Sequence, residues 1–249
     1  MTRSLFAAGL ILFAALTAVA DAAMAADRCA APAKLVDLGQ PLPRLAARLA
    51  RSEAVTVVAL GSSSTGGAGA SDPAHSYPSQ LQSIWPGLLG GQVVIHNRGI
   101  NGQDIIEMNR RLQADAVDLK PDLVLWQLGT NAVLRSQGVE VYRSHIRQGV
   151  AALQAAGIDV VLIDLQYAPK VLRDPDHTAM QKILADLAAE MKVGLYRRFA
   201  IMRAWMRDGG LQQADLVSPD GLHMNDLGYA CWARSLALGL RKAADKAKR

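Results

Sequence analysis

Four short stretches carry the side chains able to do nucleophilic chemistry. Gly61-Ser62-Ser63-Ser64-Thr65-Gly66-Gly67 is a small-residue turn with three hydroxyls in a row, and Ser218-Pro219-Asp220-Gly221-Leu222-His223 sets a carboxylate and an imidazole three residues apart. On such a turn the carboxylate holds the imidazole's tautomer, while the other ring nitrogen faces a serine hydroxyl and takes its proton. Between these ends, Asn97-Arg98-Gly99-Ile100-Asn101-Gly102 and Gly129-Thr130-Asn131 supply donors. A tetrahedral oxyanion needs several fixed donors, and a backbone amide at a glycine together with an asparagine amide meets that need. Taken singly, each stretch is also an ordinary turn: Asp220 can bond backbone amides with His223 at the surface, and glycine turns after strands are common. Their joint occurrence in loop order carries the reading.

Competing chemistries fail on detail. The serine turn lacks the Gly-Lys-Ser/Thr ending of a phosphate loop and a complete G-x-G-x-x-G, and the next apolar run ends in His96-Asn97 rather than an acidic ribose ligand. Thr65 stands where a G-x-S-x-G elbow needs its closing glycine. His75, His96, His145, His177 and His223 are scattered, without H-E-x-x-H or clustered cysteines, so neither a metal nor another cofactor is expected. Asp174, Asp176 and His177 read as helix capping, Trp126 as core, and Arg197, Arg198 and Arg203 as solvated surface, with attraction of an anionic substrate at the strand end as the alternative.

The elements that must position these stretches alternate strictly. Val55 to Leu60, Gln92 to Asn97, Asp122 to Leu128, Asp159 to Leu165 and Val193 to Phe199 are apolar, β-branched runs that read as strands. Tyr77 to Leu89, Asp104 to Asp115, Val139 to Ala156, Pro175 to Lys192 and Asn225 to Lys242 have apolar residues three and four apart and read as helices, the last with Asn225 as its cap. Strands so continuously apolar are expected to be buried on both faces. The alternation implies a parallel, three-layer α/β/α fold, with any ligand at the carboxyl ends of the strands.

The whole chain bounds the rest. It has 249 residues, 51% of them hydrophobic and 20% charged, which suits one domain with a sizeable core and excludes intrinsic disorder. The net charge of +5 owes part of its excess to Arg241, Lys242, Lys246, Lys248 and Arg249, read as a solvated tail rather than a nucleic-acid surface. Met1 to Ser4 give a positive start, Leu5 to Ala20 an uncharged apolar run, and Ala23-Met24-Ala25 a small-residue site. Residues 1–25 therefore read as a cleaved secretory signal and residues 26–249 as one domain, periplasmic or secreted, with no stable membrane insertion after cleavage. Cys29 and Cys231 stand near opposite ends of the mature chain and can pair in an oxidising compartment.

Taken together, the four stretches resemble the SGNH or GDSL hydrolases over nearly the whole mature chain. The resemblance implies a flavodoxin-like, five-stranded parallel sheet and a Ser-His-Asp esterase acting on acylated saccharides, lipids or small esters. By motif position Ser63 resembles the nucleophile, the third residue of a Gly-x-Ser block. Asp220 and His223 match the closing Asp-x-x-His. Gly102, with Gly99 as a rival, resembles the oxyanion glycine, and Asn131 matches the oxyanion asparagine, with the Ser63 amide as the third donor. Ser62 stands where the family usually has Asp, and Ala132 where an Asp often follows the asparagine; both departures bear on how the nucleophile loop is braced. An O-acyltransferase or a non-catalytic carbohydrate-binding protein on the same fold are the alternative readings.

Overall fold

The computed structural model describes residues 29–136 and 138–248. The expected leader, residues 1–25, lies outside them. Five strands, β1 (Val55–Gly61), β2 (Val93–Gly99), β3 (Leu123–Gln127), β4 (Asp159–Ile163) and β5 (Gly194–Tyr196), form one parallel sheet in the order β2-β1-β3-β4-β5. The chain lays β2 on one side of β1 and then crosses to lay β3 on the other, which opens a crevice above the carboxyl ends of β1 and β3. Register brings those ends abreast: Gly61 pairs with Gly99, Leu60 with Trp126, Gln127 with Ile163 and Ile163 with Tyr196.

The principal helices are α1 (Pro43–Ala50), α2 (Ser63–Gly66), α3 (Tyr77–Leu88), α4 (Ile105–Arg110), α5 (Thr130–Leu134), α6 (Val141–Ala155), α7 (Asp176–Glu190), α8 (Arg198–Arg207) and α9 (Asp226–Lys246). They cover both faces of the sheet, with α9 packed on α1 and α3, and α6 packed on α4 and α7. β3 is buried throughout. Its residues Leu123 to Trp126 and the residues Val57 to Leu60 of β1 are fully enclosed, as two-sided packing requires.

Four expectations need correction. β2 is not buried on both faces: it has only β1 beside it, and Val94 is 51% exposed. β5 ends at Tyr196 rather than Phe199, because Arg197 is already the cap of α8. It stays buried at its edge of the sheet because the incoming chain covers it, the Leu195 N–H donating to Leu38 O at 3.0 Å. The segment from Asp104 is two helices, interrupted at Arg111, whose guanidinium is drawn onto Gly61 O, Arg98 O and the Gln103 side chain. The described part of the C-terminal basic run is solvated but helical rather than a loose tail: α9 continues to Lys246, and Lys242 and Lys246 pair with Asp37, holding that carboxyl down at about 2, chiefly through the Lys246 hydrogen bond.

Asn225 does cap α9, its side chain accepting from Gly228 N–H at 3.0 Å. Helix α1 lies outside the helical runs that periodicity marks, although its Arg44 and Arg48 both bond the buried Asp122 carboxylate that opens β3. Cys29 and Cys231 are joined as a disulfide, which ties the first described residue to α9. Trp205 Nε1 donates to Cys29 O at 2.9 Å beside it.

Candidate active site

The serine turn forms because β1 ends in a glycine that has no room for a side chain. A Cβ on Gly61 would lie 2.1 Å from Thr65 Oγ1, so any side chain there would obstruct the doubling back of the chain into α2. Three adjacent serines then face three ways. Ser62 is buried, and both its N–H and its hydroxyl donate to Gln127 Oε1, at 3.0 and 3.1 Å. Ser64 is buried at 1% exposure. Ser63 opens the first turn of α2, and its Oγ lies 2.8 Å from His223 Nε2.

His223 and Asp220 share the turn before α9. Asp220 Oδ2 lies 2.5 Å from His223 Nδ1, while its Oδ1 accepts from the Leu222 and His223 N–H groups and from Ser218 Oγ. Burial pushes the Asp220 carboxyl up, but the bonds from His223, Leu222 and Ser218 outweigh it and hold the carboxyl well below the usual carboxylate range. An ionised carboxylate only accepts, so Nδ1 carries the hydrogen; the neutral ring then presents its Nε2 lone pair to the Ser63 hydroxyl. The chain Ser63–His223–Asp220 is thus polarised in one direction.

The donor loops meet the same edge. Gly129, at φ +94°, turns β3 into α5 where a Cβ would strike Met180 Cγ at 2.9 Å, and this brings Asn131 onto the first turn. Asn131 Nδ2 donates to Gln103 O at 2.8 Å, which uses one of its two hydrogens. The two candidate glycines separate cleanly. A Cβ on Gly99 would lie 2.1 Å from Gly66 N, so Gly99 serves the close approach of β2 to α2. Gly102 sits exposed at φ +78°, and a Cβ there would meet nothing within 4 Å, so the glycine serves the backbone conformation rather than a close approach.

Some residues at this edge carry no signal in the local sequence pattern. Gln127 braces the serine turn through Ser62 and through Thr65 Oγ1 at 3.2 Å, and so supplies the support that the Asp-to-Ser departure at position 62 puts in question. Its one sequence mark is a lone amide ending an apolar strand. Gln166 accepts from Thr130 Oγ1 at 2.8 Å and donates to Leu222 O at 3.3 Å, linking the asparagine and histidine loops. Arg198, expected at the surface, is fully buried: it donates to Gln166 Oε1 and Asp164 O and lies 4.5 Å from the centre of the Trp232 ring. Desolvation lowers its guanidinium to about 10 and raises the neighbouring Asp164 carboxyl to about 7. Trp126 is core, as its place on a buried strand implies. Asp174 accepts from the Asp176 N–H at the start of α7, and among the described residues no group of His, Cys, Asp and Glu is placed to hold a metal ion.

A parallel sheet in this order, with serine, glycine, asparagine and histidine loops gathered at one edge, defines the SGNH/GDSL class of hydrolases. The sequence profile described as the Non-GDSL lipase-like family matches residues 28–246, and the chain belongs to that family. The qualifier fits the serine block, which reads Gly61-Ser62-Ser63-Ser64 here. The chain is 25% identical to an acetylxylan esterase of Xylanibacter ruminicola over 235 residues, covering 83% of this chain and 47% of that protein, so it spans about half the relative's length. It is 24% identical over 158 residues to an arylesterase of Vibrio mimicus, covering 57% of this chain and 76% of that one. Among solved structures, a two-domain esterase (CEX) active on acetylated mannans superposes with a TM-score of 0.68 at 20% identity, over 83% of this chain and 55% of that chain.

Proposed function

We propose that the protein is an exported serine esterase that hydrolyses carboxylic esters through Ser63, His223 and Asp220. The observation that carries this reading is the 2.8 Å approach of Ser63 Oγ to His223 Nε2, with Asp220 on the far side of the ring. In the reaction, His223 takes the Ser63 proton as Oγ attacks the ester carbonyl, then gives it to the departing alcohol; water repeats the sequence to release the acid. Asp220 keeps the ring in register and balances the imidazolium. The Ser63 and Gly102 amides and the free hydrogen of Asn131 Nδ2 hold the oxyanion.

The names of the relatives support an acetylated saccharide as the substrate class. Acetate release from acetylated xylo- and manno-oligosaccharides, set beside p-nitrophenyl acetate and longer p-nitrophenyl esters, tests this. The reading expects turnover of the acetyl esters and falls if none of the panel is hydrolysed. Adding an alcohol acceptor separates hydrolysis, which yields free acid, from acyl transfer, which yields a new ester.

Asn131→Ala should lower kcat about a hundredfold to a thousandfold, the usual cost of one oxyanion donor. An effect confined to KM would make Asn131 a substrate-binding residue instead. The domain is taken as residues 26–249, with residues 1–25 removed on export. Material exported by a bacterial host should begin near Ala26 and show no free thiol after denaturation, because Cys29 and Cys231 are bonded. Retained Met1 contradicts the cleavage, and two free thiols contradict the bridge. Closing so long a loop stabilises the fold by up to about 5 kcal/mol in the chain-entropy model, so reduction should lower Tm markedly.

A further inference from the structure

The Gly102 loop is closed by the Gln103 N–H on Ile100 O and by Arg111 on the Gln103 side chain, and two of its carbonyls are gripped by one helix. Arg135 lies four residues beyond Asn131, so the two side chains leave the same face of α5 and its cap. Asn131 Nδ2 holds Gln103 O at 2.8 Å, and Arg135 Nη2 holds the preceding carbonyl, Gly102 O, at 3.1 Å. The guanidinium is itself fixed. Its Nη1 bonds Asp104 Oδ2, its Nη2 bonds Glu107 Oε2 at 2.7 Å, and those two carboxylates close a capping box at the start of α4. Asp104 is 5% exposed and also accepts from Tyr142 OH at 3.2 Å. Arg135 is therefore a planar fork with two tines on anchored carboxylates and the remaining reach on one glycine carbonyl.

Gly102 needs such an anchor. It is exposed, its φ is +78°, and no neighbour would touch a Cβ there, so side-chain packing cannot set its conformation. Among the described residues no backbone or side-chain acceptor is bonded to its N–H. An amide meant for a developing oxyanion must be both unused and rigid before the reaction starts.

We propose that Arg135 is a positioning residue of the oxyanion site: by bonding the Gly102 carbonyl, it fixes the loop conformation that presents the Gly102 N–H alongside Asn131 Nδ2. The inference rests on the esterase reading above and names a residue outside the triad and the donor set. It acts through Gly102 and touches no reacting atom.

The discriminating variant is Arg135→Lys. An ammonium keeps its charge opposite Asp104 and Glu107, and so keeps the fold, but lacks the second nitrogen that reaches Gly102 O. With p-nitrophenyl acetate, Arg135→Lys should lower kcat about tenfold or more with KM within about twofold and Tm unchanged, and Arg135→Ala should lower kcat further, toward a hundredfold. Combined with Asn131→Ala, the Arg135→Lys loss should be smaller than in the wild-type background, because both side chains hold the same loop. Wild-type kcat in Arg135→Lys, a change in KM alone, or full multiplication of the two losses overturns the inference. A wild type that hydrolyses no ester overturns the esterase reading and this inference with it, whereas an active wild type with an unaffected Arg135→Lys overturns this inference alone.

Discussion

Ser63→Ala should lower kcat for ester hydrolysis by roughly 10⁴-fold or more, the scale of losing a triad nucleophile. Ser62→Ala and Ser64→Ala should fold and keep much of their activity. Only Ser63 has its Oγ on His223 Nε2; the Ser62 hydroxyl is spent on Gln127 Oε1, and Ser64 is sealed into the turn. The Ser62 N–H bond to Gln127 survives the alanine change, so Ser62→Ala forfeits one buried hydrogen bond, about 1 kcal/mol, rather than the shape of the turn. Steady-state kinetics on the three variants checks this. A severe loss in Ser62→Ala or Ser64→Ala with Ser63→Ala active reverses the assignment.

Asp220→Asn should cost roughly 10⁴-fold in kcat in a chain that still folds, with a somewhat lower Tm at neutral pH because the ionised carboxylate is lost. The asparagine carbonyl still accepts from Leu222 N–H, His223 N–H and Ser218 Oγ, as Asp220 Oδ1 does, so the turn keeps its internal bonds. What changes is the atom facing Nδ1. An amide nitrogen there donates, which drives the ring hydrogen to Nε2 and leaves no lone pair for the Ser63 proton. The pH dependence has a definite sign. Because the Asp220 carboxyl is held below the usual carboxylate range, its contribution to stability is fully present above the ordinary carboxylate pKa of about 4 and fades only as the pH falls through that depressed value. Acid loss of activity above about pH 4 therefore does not come from protonating Asp220. An Asp220→Asn variant as active as wild type contradicts the orienting role.

Periodicity and local turns are what the sequence makes legible. Strands at β1, β3 and β4 read directly, because two-sided burial leaves an unbroken apolar run; β2 misleads, since Val93, Val94 and Ile95 look equally apolar at an edge position with one neighbour. Asp220 and His223 are legible because three residues on one turn fix their separation. Ser63 is not separable from Ser62 and Ser64 by composition and needs the register of the Gly-x-Ser block. Gly99 and Gly102 differ only in what surrounds them, which no local pattern encodes: one meets the α2 backbone and the other meets nothing. Gln127, Arg135, Gln166 and Arg198 act across 28 to 65 residues of sequence, on partners that only the fold brings within reach. The buried Arg198 looks in sequence like one of several surface cations, because its enclosure by Trp232 and Gln166 is set by α9 and the loop after β4.

The most direct test of the central claim is covalent labelling of the serine turn. A fluorophosphonate probe reacts with a serine whose hydroxyl is deprotonated by a neighbouring base, and mass spectrometry of the labelled peptide reads which of three adjacent residues carries it. The wild type should be labelled at Ser63, more slowly after His223→Ala, and not at all after Ser63→Ala. A label on Ser62 or Ser64, or labelling at the wild-type rate without His223, contradicts the account.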